Sequence, residues 1–180
     1  MVSDTPLPSA TVVLLRDGES GLEAYLVKRH GRTAFGNAWA FPGGVVDASD
    51  ARVHSSCRGI DPDNLDRLLD VPNAANYYSA AIRELFEETG VLLGTASASA
   101  AELDAARDAL NDGRLAWDEF VDSACVALEC DRLHYLSYWI TPVGLPRRFA
   151  TRFFLARMPA SEVAHHCGRE LVDCRWLTTS

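Results

Sequence analysis

Residues 83–90 read Arg-Glu-Leu-Phe-Glu-Glu-Thr-Gly, and the fold turns on this stretch. It closes a run from Ala75 to Val91 with apolar residues at helical spacing, and Gly90 supplies the stop where a left-handed residue is needed. At about 100° per residue, Glu84, Glu87 and Glu88 share a stripe about 100° wide, while Tyr78, Ile82, Leu85, Phe86 and Thr89 gather on the other side. One face is expected to pack on a sheet and the opposite face to present only acids. Like charges at i, i+3 and i+4 repel by a few tenths of a kcal/mol per pair in water. Arg83, one turn before Glu87, offsets part of that repulsion, and a cation would offset far more. Two readings stand at this point: a solvated acidic face, or a site for a hard divalent ion that takes oxygen ligands and bridges to substrate phosphates.

Upstream, Phe41-Pro42-Gly43-Gly44-Val45-Val46-Asp47-Ala48-Ser49-Asp50 forms a glycine turn followed by two aspartates three apart. Together the two stretches resemble the Nudix box: Gly, five residues, Glu, seven residues, then Arg-Glu-apolar-x-Glu-Glu-x-Gly-apolar. The second half is matched by Arg83, Glu84, Leu85, Glu87, Glu88, Gly90 and Val91. The first half is matched through Gly44, with Asp50 where the family has Glu. Between Asp50 and Arg83 lie 32 residues in place of seven, an insertion of 25. It falls in the loop before the helix, where added length has a modest entropic cost, and it leaves every acid on its stripe. The resemblance extends to a Nudix branch that carries such an insertion and includes peroxisomal coenzyme A diphosphatases. It runs through "FPGGVVDASD", "AAIRELFEETGVLL", the helical segment after the box and "WITPVGLPRRFATRFFLA".

The resemblance implies an α/β Nudix fold, a mixed β-sheet sandwiched between α-helices, with a helical insertion at about 51–74. It implies hydrolysis of a nucleoside diphosphate linked to another moiety, giving two monophosphates. Coenzyme A or acyl-CoA is the first substrate expected, with ADP-ribose or NADH as alternatives. A catalytically weak nucleotide-binding or regulatory module is the rival favoured by Asp50 and the split box. By the same resemblance Glu84, Glu87 and Glu88 would hold Mg²⁺ or Mn²⁺, with the Gly44 carbonyl as a further ligand and Arg83 orienting the acids. Asp47 or Asp50 would lie beside the metal, and Glu84, or Glu170 from a distant loop, would serve as general base. A related motif, Arg, three residues, Gly, three residues, "FPGG", is approached by Arg32 and Gly36, which stand one residue out of register with Phe41. Arg29, Arg32, Arg147, Arg148 and Arg152 are candidate phosphate clamps, because guanidinium forks suit phosphate oxygens.

The rest of the chain frames this site. Residues 10–16 and 22–29 are apolar runs around an Asp-Gly turn and read as a hairpin. Leu65, Leu68 and Leu69 give the insertion a short helical pulse, and 99–111 and 115–128 read as two further helices. Residues 132–140, 152–158 and 171–177 read as strands. Only three residues follow Leu177, so any further helix completing the fold lies outside this sequence. Residues 1–180 are expected to form a single domain. A net charge of -8 argues against a general nucleic-acid or anionic-membrane binder, so the expected partner is a small nucleoside diphosphate. No apolar run approaches the roughly 20 residues of a membrane span, and there is no signal pattern, so a cytoplasmic protein is expected. Five cysteines without a CxxC pair fit reduced thiols. His165-His166-Cys167 places neighbours that point apart, a poor zinc site. Trp39, Tyr135, Tyr138 and Trp139 are candidates for stacking an adenine or for filling a core.

Overall fold

The computed structural model describes residues 5–29, 38–145, 147–160, 162–166 and 171–179, with the side chain of Arg29 excepted. The Asp-Gly turn joins β1 (Leu7–Gly18) to β2 (Gly21–Arg29), paired antiparallel from Leu15↔Ala24 to Gly18↔Gly21. Two short strands follow, β3 (Trp39–Ala40) beside β2 and β4 (Gly43–Val45) beside β1. The insertion contributes β5 (Cys57–Arg58) and α1 (Pro62–Leu69), and then come α2 (Ala75–Thr89), β6 (Gly94–Thr95), α3 (Ala100–Asn111) and α4 (Trp117–Ser123). The chain returns through β7 (Ala127–Glu129), β8 (His134–Ile140), β9 (Phe149–Arg157) and β10 (Leu171–Thr178).

The main sheet runs β10-β2-β1-β9-β8, parallel between β1 and β9 and antiparallel elsewhere, so it is mixed as expected. Alternation along β1 turns Ala10, Val12 and Leu14 into the core. The apolar side of α2 meets them: Tyr78, Ile82, Leu85 and Phe86 are buried, and Tyr78 packs its ring 4.8 Å from that of Phe154 on β9. Burying each of these large side chains contributes about 1.5–3 kcal/mol. Phe86 stacks on Phe120 of α4 at 5.3 Å, which draws the segment after the box against the same helix.

The insertion is ordered and takes part in α2. A 3₁₀ segment (Ala48–Ser56) leads through β5 to α1, which starts at Asp61 as N-cap with Pro62 at the first position. Leu65 and Leu69 are buried and Leu68 is exposed, as a one-sided helix requires. α2 has no side-chain cap of its own at Ala74. Asp66 of α1 holds the residues just before the helix, accepting from the Asn73 and Ala74 amides at 3.1 and 2.7 Å.

The expected helix at 115–128 is shorter than its apolar pattern implies. α4 ends at Ser123, Cys125 takes a left-handed φ of 48°, and Val126 N–H turns back to the Val121 carbonyl. Residues 127–129 become β7, the middle strand of a second sheet with β5 and β6. A short apolar run fits a buried strand as well as a helix, and here backbone partners on both sides decide it.

Candidate active site

The glycine pair is set by close approach. β4 lies antiparallel to β1 with Thr11 opposite Gly43 and Ala10 opposite Gly44. A Cβ on Gly43 would stand 2.4 Å from the Ala10 carbonyl oxygen, and one on Gly44 would stand 2.4–2.6 Å from the carboxyl atoms of Glu84. The strand therefore passes directly under the acidic stripe of α2. The Gly43 amide donates to Glu88 Oε2 at 3.1 Å. This stripe faces β4 and the 3₁₀ segment, not open solvent, and Glu88 is buried.

Arg83 organises the site. Its Nε and Nη2 bond the two oxygens of Asp50, each at 3.1 Å, and Nη2 also donates to the Val45 carbonyl at 2.8 Å. Nη1 reaches Glu84 at 2.8 Å and Glu87 at 3.3 Å. Burial works against the guanidinium charge, but Glu84, Asp50 and Glu87 outweigh it and hold the group firmly protonated.

Asp50 is fully enclosed, and each oxygen accepts two bonds: Oδ1 from Ser79 and Arg83, Oδ2 from the Asp47 amide and Arg83. It therefore braces Arg83, and its shorter side chain suits a tight approach. Asp47 caps the 3₁₀ segment, accepting from the Ser49 amide and hydroxyl, which hold its carboxyl below the usual range.

A sequence model of the NUDT19 Nudix domain matches residues 60–180, two thirds of the chain. The chain belongs to this Nudix family. Nudix hydrolase 7 of Caenorhabditis elegans is 28% identical over 158 residues, 84% of this chain, and the chain spans 45% of that relative's length. The crystal structure of a Nudix hydrolase from Alicyclobacillus acidocaldarius superposes with a TM-score of 0.70 at 26% identity, covering 97% of this chain and 79% of that one. The Nudix domain of Shewanella oneidensis NrtR, solved in complex with ADP-ribose, shares the fold at a TM-score of 0.51 and 14% identity, over 97% of this chain and 73% of the other.

Nudix hydrolases use divalent ions such as Mg²⁺ or Mn²⁺. The donor chemistry fits a hard cation: Glu84 and Glu87 both turn to Arg83, Glu88 lies against the Gly43 amide, and all the candidate ligand atoms are oxygens. The Glu87 carboxyl is pushed up to about 7 by burial, with Glu84 and Asp50 adding to the rise against Arg83. As placed, the acids turn to Arg83 and to the Gly43 amide, and no three His, Cys, Asp or Glu groups among the described residues form a ready metal cluster.

Arg147, Arg148 and Arg152 make contacts of their own, and several other expected residues lie outside the described residues. Arg32, Glu170, Gly36, Cys167 and the Arg29 side chain lie outside the described residues. Arg147 sets its guanidinium 5.4 Å from the Phe149 ring centre, and Arg148 Nε bonds the Thr141 carbonyl. Arg152 is buried against Tyr77 and Tyr138 and donates to the Leu69 carbonyl at the end of α1, which makes it an anchor for the insertion. Tyr135 packs on Phe154, whereas Trp139 is 67% exposed.

Several supporting residues escape sequence reading. Trp117 Nε1 donates to Ser79 Oγ, which donates on to Asp50. Arg107 Nε and Asn111 both donate to the Glu87 carbonyl at 3.0 Å, and Arg107 also bonds His165 Nε2 and the His165 carbonyl. For Ser79, Arg107 and Asn111 the sequence signal is a polar residue on a helix, which solvated faces share, and Trp117 reads simply as core.

Proposed function

We propose that the chain hydrolyses a nucleoside diphosphate linked to another moiety, using Mg²⁺ or Mn²⁺ and releasing two monophosphates. The observation that carries the reading is the placement of Glu84 and Glu88 of α2 directly against the Gly43-Gly44 strand, with Glu84 and Glu87 both turned to Arg83. Glu84, Glu87 and Glu88 hold the ion, with the Gly44 carbonyl as a further donor. When bound, such an ion neutralises diphosphate oxygens and activates water. Arg83, tied to Asp50 and Val45, fixes the carboxylates in place and is a positioning residue. Arg147 and Arg148, on the approach to β9, supply phosphate contacts.

Coenzyme A or an acyl-CoA is the first substrate, a reading supported by the match to the NUDT19 domain and by the split box. ADP-ribose, the ligand of the NrtR Nudix domain, is the second. The test is a panel of coenzyme A, ADP-ribose and NADH with product masses recorded, with and without Mg²⁺ or Mn²⁺. Metal-dependent release of a 4′-phosphopantetheine product and adenosine 3′,5′-bisphosphate supports the first substrate. Turnover that survives Glu87→Gln with Glu88→Gln overturns the assignment of the acids. Absence of turnover on every diphosphate points to a binding module.

A further inference from the structure

The two strands that end the main sheet differ in kind. β10 carries Asp173 and Arg175, joined by an ion pair at 3.2 Å, and charges of this sort keep a sheet edge from pairing with another chain. β8 has no such protection. From Leu133 to Leu145 the chain has no Asp, Glu, Lys or Arg, although these residues make up 23% of the whole. Leu136, Tyr138, Trp139, Ile140, Val143 and Leu145 are each 43–74% exposed, and they are half of the exposed large apolar side chains among the described residues. No strand lies beyond β8 among the described residues, so the outer N–H and C=O groups of this strand have no ladder partner there.

Size and charge together point to what covers this edge. Six such side chains at these exposures present roughly 700 Å², above the roughly 300–600 Å² of the largest patch on a typical monomer and close to the ~800 Å² per partner of a stable complex. Two copies of a chain with net charge -8 repel one another over most of their surfaces, and an uncharged edge is where they meet at least cost. We propose that β8 pairs antiparallel with β8 of a second copy about a two-fold axis, joining the two main sheets into one. The register irregularity between Tyr135 and Ser137 confines the ladder to the second half of the strand. With the axis at Trp139, that side chain meets its own copy and Tyr138 meets Ile140. No register within the run brings like charges together.

The experiment is sedimentation velocity on the full chain from about 1 to about 200 µM, at two salt concentrations. The expected mass rises with concentration from 19.7 kDa toward twice that value and no further. Because the contact is uncharged while the copies repel, raising salt from about 0.05 to about 0.5 M should tighten it several-fold. Trp139→Lys sets two ammonium groups against each other at the axis and should weaken the dimer by about tenfold or more. Val163→Lys, the same change of charge at a side chain 79% exposed elsewhere, should behave as the parent. In hydrogen exchange, outward amides within Ser137–Thr141 should gain protection as concentration rises. A mass of 19.7 kDa at every concentration, which would leave the edge to a strand of some other protein, overturns the proposal. So does a dimer that Trp139→Lys leaves intact, or a mass that climbs past two copies. Should Trp139→Lys fail to fold, the concentration series and the exchange pattern of the unaltered chain still decide the matter.

Discussion

Arg83 and Asp50 meet in a two-pronged ion pair across 33 positions of sequence, with both nitrogen–oxygen distances at 3.1 Å. This pair closes the split in the box, since it ties the turn before the insertion to the helix after it. Asp50→Ala leaves a buried guanidinium short of a partner and is expected to destabilise the fold by about 3–5 kcal/mol in urea unfolding. Asp50→Glu, which restores the family's longer acid in an enclosed space, is expected to cost about 1–3 kcal/mol through overpacking. A gain in stability from Asp50→Glu would show that the site has room to spare.

Glu87 makes the metal-free fold sensitive to pH. Its carboxyl titrates near 7 when folded and near its ordinary 4.5 when unfolded. Between those values the folded state holds a proton that the unfolded state has released, so stability falls as pH rises through the window and levels off above about 7. The whole effect is at most about 3 kcal/mol. Glu87→Gln should flatten the profile and raise Tm at pH 8 without metal. A profile that stays unchanged by Glu87→Gln would assign the pH dependence to another group.

Gly44→Ala puts a methyl group into the space occupied by the Glu84 carboxyl. Displacing that acid by about 1 Å is expected to lower turnover by roughly 10²-fold. The stability cost should shrink in a Glu84→Ala background, where the collision is gone. Equal costs in the two backgrounds, measured as a double-mutant cycle, would refute the contact.

Trp117→Phe keeps most of the ring but removes the donor to Ser79 at 3.0 Å. A loss of about 1 kcal/mol is expected, falling toward zero when Ser79 is already Ala. Denaturant titration of the four variants measures the coupling.

The acid stripe, the hairpin and the role of Gly90 were legible because each rests on local periodicity or a required backbone angle. The place of Asp50 was not. Its match to the box gave its place in the motif, while its enclosure depends on Ser79, Asp47 and Arg83 arriving together from both sides of the insertion. The strand at 127–129 was hidden for a similar reason, because its partners β5 and β6 lie far away along the chain. Arg152 looked like a phosphate clamp by residue type, and only tertiary packing shows it seated between Tyr77 and Tyr138.

Asp66 pins the two residues that lead into α2, so the start of the helix that carries the acids is tied to α1. The insertion and the first turn of that helix should therefore open together as one cooperative unit. In native-state hydrogen exchange, the amides of Asn73 and Ala74 should share the opening free energy of α1, and Asp66→Ala should lower protection in both at once. What reads along the chain as an interruption of the box behaves, in this sense, as part of the folding unit that the box requires.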